Sequence, residues 1–247
     1  NNDIGLTRSL DLGLSYEHAV RPYLVFRTEV FHQQLEDVPE GDVRKYRPPL
    51  NEDGSMVNAW DQPLFLQLAN TGTASSTGLE VSLHRTFRND LFYQVNATLL
   101  DTRYRSIAGQ ELATRWNTSG MGNVVIGREF AKEREGSKRT WGVNGRANVT
   151  GGQRTTPIDT LFSASTGTTV YDVQRPLSET LATYYRIDLR IYRKMERKGH
   201  TGMWSLDLLN VTNAQNEAYR YYDQRKGEVV TKYQLGLIPN LSYRIEF

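Results

Sequence analysis

Histidine is the first side chain to weigh for chemistry, and this chain has four: His18, His32, His84 and His200. No two stand at a spacing that would place both on one metal ion. There is no cysteine, which removes disulfide frameworks, thiolate metal sites and cysteine nucleophiles together. Asn51-Glu-Asp-Gly54 carries oxygen ligands, but not at the alternating positions of a calcium loop, so it reads as a turn. No cofactor, no metal and no covalent catalysis are expected. What remains is charge and aromatic surface. Arg186-x-Asp188-x-Arg190 puts three charges on one side of a strand. That suits a cross-strand ion network with Asp207 or Arg146, or alternatively the guidance of a charged solute. Tyr46, Trp60, Arg154, Tyr171, Tyr219, Tyr221 and Tyr222 fall in stretches of loop composition, where recognition groups concentrate, and are the expected substrate contacts.

The bulk composition narrows the class. Lysine and arginine total 30 against 28 acidic residues, and the resulting charge of +2 is too small and too scattered for a nucleic-acid partner. A mean hydropathy of −0.58 and the lack of a long apolar run exclude a transmembrane helix. They do not exclude a transmembrane barrel, whose strands alternate and average out to polar. Tyrosine, at 14 residues, outnumbers the 8 phenylalanines and 4 tryptophans, which suits a membrane–water boundary. The first residues, Asn1-Asn-Asp3, carry neither an initiator methionine nor a signal sequence, so a mature form or a piece of a longer chain is expected.

The elements that would position these side chains are strands. The last eleven residues, Leu237–Phe247, alternate Leu241, Tyr243, Ile245 and Phe247 with Asn240, Ser242, Arg244 and Glu246. This is the period of a strand with one apolar and one polar face, at a length that suits a bilayer crossing. The same alternation predicts a strand from Leu6 to about Tyr16, a turn over His18–Pro22, and a strand over Tyr23–Gln34. A hairpin follows, with Leu79, Val81 and Leu83 leading through Arg88-Asn-Asp90 to Tyr93, Val95 and Leu99. Weaker alternation over Val124 and Ile126 leads through a charged turn, Ala131–Ser137, to Trp141 and Val143. Tyr185, Ile187, Leu189 and Ile191 then lead through Lys194–Gly202 to Trp204, Leu206 and Leu208. Glu80, His84, Arg146, Arg186, Asp188, Arg190 and Asp207 take the opposite, lumen-facing side.

Connections alternate short and long along the whole chain. The long ones run from Glu36 to about Pro63, from Asp101 to Ser119, from Gly151 to Thr183, and from the end of the Trp204 strand to the last strand. That is the pattern of an antiparallel up-and-down transmembrane β-barrel, with short periplasmic turns and long extracellular loops. On three strands the apolar phase ends in arginine: Arg85, Arg128 and Arg193. Arginine facing lipid costs about 2–4 kcal/mol at the midplane but roughly 0–1 near the interfaces, so these positions suit strand ends beside the short turns. About nine strands are predicted, an odd number, whereas closed single-chain bacterial barrels are even. One domain, 1–247, is expected to form part of a larger barrel.

Asn70-Thr-Gly72 followed by Gly78-Leu-Glu80 resembles a signature of late barrel strands in TonB-dependent outer-membrane receptors. Gly127-Arg-Glu-Phe130, Gly151-Gly152, Thr156-Pro-Ile-Asp159 and Asp207-Leu-Leu-Asn-Val-Thr-Asn213 are similar to segments of its carboxypeptidase-regulatory-like subgroup. Tyr233–Phe247 resembles that subgroup's ending. The resemblance implies the last nine strands or so of a 22-stranded barrel, without the plug domain, the TonB-binding box and roughly the first thirteen strands. It implies energised uptake of a scarce nutrient (metal chelate, glycan or peptide) in the bacterial outer membrane. The partners it implies are outer-membrane lipid, the rest of the receptor, TonB through the N-terminal part, and a surface lipoprotein. Tyr243, Ile245 and Phe247 fit the family's C-terminal signal for barrel assembly. Two other classes stay open on the sequence: a small complete outer-membrane barrel acting as protease or lipase, and a soluble β-sandwich binding module.

Overall fold

The computed structural model describes residues 4–41, 58, 68–105, 109–134 and 136–247. Tyr46, Trp60 and the segment Asn51–Gly54 lie outside the described residues. In chain order the elements are β1 (Arg8–Arg21), β2 (Leu24–Glu40), β3 (Ala69–Arg88), β4 (Leu91–Arg105), β5 (Glu111–Ala113), β6 (Gly120–Arg134) and β7 (Ser137–Thr150). They continue with β8 (Arg154–Thr155), α1 (Thr160–Thr166), β9 (Glu179–Thr180), β10 (Tyr184–Arg197), β11 (His200–Leu209), β12 (Glu217–Asp223), β13 (Glu228–Tyr233) and β14 (Ile238–Glu246). Nine of these strands form one antiparallel sheet in the order β1-β2-β3-β4-β6-β7-β10-β11-β14, with β5 added on β4. The chain is all-β apart from a helix of seven residues. The sheet does not close: β1 pairs with β2 alone and β14 with β11 alone among the described residues.

The strands are longer than their alternating cores. His18–Arg21, expected as a turn, continues β1, and only Pro22-Tyr23 turns. Glu36–Glu40 and Ala69–Thr77 extend the β2–β3 ladder beyond the apolar stretch, so Asn70-Thr-Gly72 is strand rather than loop. Asp101–Arg105 likewise prolongs β4, and the charged turns around Ala131 and Lys194 shrink to two residues each. Backbone hydrogen bonds set these lengths, and the ladder continues where the side chains have become polar on both faces.

All four hairpin turns of the sheet, β1–β2, β3–β4, β6–β7 and β10–β11, span two residues and lie at one end of it. In the β3–β4 turn Asn89 and Asp90 both have positive φ, 50° and 63°. That is the primed turn whose twist matches the flanking strands. The connections at the other end are all longer, 41–68, 106–119, 151–183 and 210–237.

Register separates the two faces cleanly. Leu14, Val30, Leu79 and Leu99 stand opposite one another in one row. Val143, Ile191, Leu206 and Leu241 form another row on the same face. No described residue covers that face: Leu12 is 59% exposed, Leu99 62%, Ile126 48% and Leu241 68%. The buried cluster of Ala74, Tyr104 and Leu177 lies at the long-loop end, with Leu35 and Leu112 packed against it. On the polar face, three rings fill the space a Cβ would take on the glycine directly opposite in register: Phe31 at Gly78, Phe92 at Gly127 and Tyr192 at Gly142. A strand glycine is thereby shielded by its cross-strand neighbour's ring.

Gly151 and Gly152 serve a different need. A Cβ on Gly151 would run into the Thr118 carbonyl, and one on Gly152 into the Leu181 carbonyl. The paired glycines let the start of the 151–183 connection pass between the Thr118 backbone and the returning end of the same connection at Leu181. Gly152→Ala is expected to cost about 1–3 kcal/mol through overpacking. Hydrogen exchange should show faster opening around Leu177–Leu181 with the nine-stranded sheet unchanged; unaltered exchange there would contradict the account.

Candidate functional site

The described parts of the 151–183 and 210–237 connections form a structured rim because their polar side chains satisfy backbone groups. Asp159 caps α1 by accepting from the Phe162 N–H at 2.9 Å, and Gly167 ends the helix in the left-handed conformation. Asp159 also donates its backbone N–H to the Val170 carbonyl, and Ile158 bridges Tyr171. The Thr156 hydroxyl accepts from the Leu177 N–H at 3.1 Å. The Thr156-Pro-Ile-Asp159 motif is therefore the root of this loop.

Asp207-Leu-Leu-Asn-Val-Thr-Asn213 does the same for the last long connection. Asn210, 2% exposed, donates to the carbonyls of Ala214 and Leu235 and accepts from the Ala214 N–H. Its amide is thus committed to the backbone, so the formal Asn-Val-Thr glycosylation sequon is structural here. Asn213 accepts from the Leu237 N–H at 3.0 Å, fixing the chain as it enters β14. Asn216 bonds both the N–H and the carbonyl of Tyr185, standing in for a strand at the top of β10. Asp188 accepts from the Asn210 N–H at 2.9 Å and from the Arg186 guanidinium at 2.8 Å, so it ties the sheet to this rim.

Between the 151–183 loop and the β12–β13 hairpin lies a cavity of about 320 Å³. Arg115, Arg154, Tyr171, Tyr219 and Arg220 line it. The structure thus brings Arg154, Tyr171 and Tyr219 together, as recognition groups would need. The Tyr221 ring is tilted against that of Tyr219, with ring centres 6.0 Å apart, outside the cavity. Tyr222 is held on the same hairpin by its N–H to the Thr169 hydroxyl and does not line it either. Sequence reasoning missed Arg115 and Arg220. Arg220 stood between the selected tyrosines as a basic residue in an aromatic run; Arg115 had no signal beyond its neighbour Trp116. Arg220 is held by Glu217 at 2.9 Å and Glu179 at 3.3 Å. The Nε of Arg154 is buried without a hydrogen-bond partner. This arrangement of cations and phenol rings suits a solute with an anionic group and a flat face.

The seven residues assigned to the polar face do share it. Glu80 stands opposite Glu29 and Thr98, and His84 opposite Gln94. Arg146 and Asp188 pair across β7 and β10, and Arg190 pairs with Asp207 across β10 and β11. The ion network differs in detail from expectation. Arg190 reaches Asp207 across strands at 3.5 Å. Arg186 instead bonds Asp188 two residues along its own strand, and Arg146 donates to Asn148. At the chain end Tyr243 packs on Trp204 with ring centres 4.6 Å apart, while Ile245 and Phe247 are exposed.

In the loop, Arg175 donates to Asp172 at 2.8 Å and holds its carboxylate below the ordinary range, helped by the Gln174 N–H. A lowered carboxylate pKa stabilises the loop above the unfolded value of about 4 and loses that effect as pH falls through the folded value. Amide protection at Gln174 and Arg175 should therefore be flat from neutral pH down to about 4 and decline below it. A decline beginning near neutrality would contradict this. Asn216→Ala should cost about 1–3 kcal/mol by leaving the Tyr185 backbone unpaired, read as faster exchange at Tyr185.

Neither a protein-family model nor a curated protein matches this chain.

Proposed function

We propose that these residues form the C-terminal wall and outer rim of a TonB-dependent transporter barrel in the bacterial outer membrane, taking up a scarce nutrient with energy delivered from the inner membrane. The observation that carries this reading is the uncovered apolar face of the nine-stranded sheet, opposite a charged one. A contiguous apolar surface of this extent in water would be an aggregation liability; against lipid tails it is at home. A β-sandwich would need a second sheet packed about 10 Å from that face, and no described element packs there. Segregation of two-residue turns at one end and long connections at the other supports the same reading.

Strand parity adds a second support. With nine strands, each antiparallel to the next, β1 and β14 run in the same direction. Closing such a sheet with antiparallel ladders takes an odd number of further strands. A second copy facing the same way would begin with its β1 parallel to β14, so it would not close the ladder. The 22-stranded barrel of the resembled family leaves an odd number beyond these nine. In this reading the ion-paired face lines the lumen around a plug, the cavity near Arg154 and Tyr219 is part of the outer vestibule, and the wall does no covalent chemistry.

The full-length protein is expected in the outer-membrane fraction, resistant to carbonate extraction. A deletion strain should lose uptake of at least one scarce nutrient from a panel of metal chelates, oligosaccharides and peptides. Collapse of the proton-motive force should reproduce that loss in the parent strain. Recovery of the protein in a soluble fraction, or uptake unchanged across the panel, would contradict the proposal.

A further inference from the structure

Near the short turns the arginines of the apolar face are held differently from the ion-paired arginines of the polar face. On the polar face four guanidinium groups have carboxylate partners, Arg27 with Glu29 at 2.6 Å, Arg186 with Asp188 at 2.8 Å, Arg190 with Asp207 at 3.5 Å, and Arg244 with Glu246 at 2.6 Å, while Arg146 donates to Asn148. On the apolar face Arg85, Arg88, Arg128 and Arg193 have no ion-pair partner among the described residues. Each meets an aromatic ring instead. Arg85 and Arg88 lie 5.0 and 4.5 Å from the centre of the Tyr23 ring, Arg128 lies 5.1 Å from Phe130, and Arg193 lies 5.5 Å from Trp141.

Three of the four converge. Arg88 and Arg128 both stand opposite Leu91, one on each side, and Arg85 stands opposite Tyr93. The register shift between Arg85 and Arg88 is what lets residues of unlike parity share this face. The patch therefore spans about 10 Å, two strand spacings, with the β3–β4 turn directly beside it. Arg85 donates through Nη2 to the Arg88 carbonyl at 3.1 Å, while its Nε is buried with no partner. Three cations without counter-ions, held over aromatic rings on an apolar surface, are complementary to an anion that itself carries apolar chains.

We propose that Arg85, Arg88 and Arg128, with Tyr23 and Tyr93, form a binding site for the phosphate of an anionic phospholipid in the leaflet at the short-turn side. The site rests on the membrane reading given above and adds a specific lipid class and place to it. The guanidinium groups hold the headgroup phosphate, the tyrosine rings stand at the glycerol level, and the acyl chains lie along Val95 and Ile126.

The test uses the full-length protein in mild detergent, titrated with phosphatidylglycerol or phosphatidylcholine and read by native mass spectrometry. The wild-type protein should retain phosphatidylglycerol in preference to phosphatidylcholine. Arg85→Gln combined with Arg88→Gln should lower that preference about tenfold or more, and Arg128→Gln alone should lower it by less. Arg27→Gln, on the other face, should leave it unchanged. Folding of each variant is checked by the heat-dependent gel shift of barrels, and Arg128→Gln keeps the test open if the double variant does not fold. A folded variant with undiminished preference would overturn the site and leave the membrane reading standing. Inorganic phosphate competing as well as phosphatidylglycerol would overturn the lipid assignment. A protein that stays soluble without detergent would overturn the membrane reading and this site together.

Discussion

Along β1 and β14 every second backbone N–H and C=O points to a side where no strand lies among the described residues, and both strands are exposed along their whole length. Unpaired edges of this length template further pairing, and a protein must cap them, twist them away or close them. These edges carry no proline plug or covering loop among the described residues, apart from Pro239 near the start of β14. The same sheet presents an apolar face on which no described element packs. The proposed membrane reading meets both facts at once: a sheet that continues at both edges and turns its apolar face to lipid, where only a closed ladder satisfies the backbone. On that reading the arrangement of the charged side chains follows. Side chains that would be expensive in lipid are gathered on the polar face in ion pairs, or moved toward the strand ends over aromatic rings.

How much of this was legible in the sequence depends on which force shaped each part. Where one face must be apolar, alternation reports it, so the nine strands and their two faces could be read from residues such as Leu79, Val81 and Leu83. Strand ends could not. Between Ala69 and Thr77 the ladder runs on with polar side chains on both faces, and only backbone hydrogen bonding marks it as strand. The Arg88-Asn-Asp90 turn was legible, but the β10–β11 turn was hidden for the same reason, since charged residues such as Lys194 and Glu196 look like loop while pairing in register.

The outer rim was the least legible region, because it is stabilised by specific pairings rather than by periodicity. Asn210, Asn213 and Asn216 each replace a missing backbone partner, and no pattern of apolar residues announces that. Gly151 and Gly152 were visible as a motif, but their reason, the close passage of the Thr118 and Leu181 carbonyls, exists only in three dimensions. Of the aromatic and basic residues named in advance, Arg154, Tyr171 and Tyr219 meet in one cavity. Arg115 and Arg220 complete it from elements that sequence alone did not bring together. The charged run Arg186-x-Asp188-x-Arg190 was correctly placed on one face, yet its pairing is partly along the strand, a choice made by side-chain reach rather than by spacing.

The most direct test of the account is a single-cysteine scan through β10 from Tyr185 to Arg193, in a segment that contains no native cysteine. Each site is labelled with a fluorophore in reconstituted full-length protein, and quenching by brominated lipid is compared with quenching by an aqueous ion. The account predicts strict alternation: Ile187, Leu189 and Ile191 quenched from the lipid, Arg186, Asp188 and Arg190 from water or shielded by the lumen. Uniform aqueous quenching at Ile187, Leu189 and Ile191 would contradict the claim that this face meets the membrane.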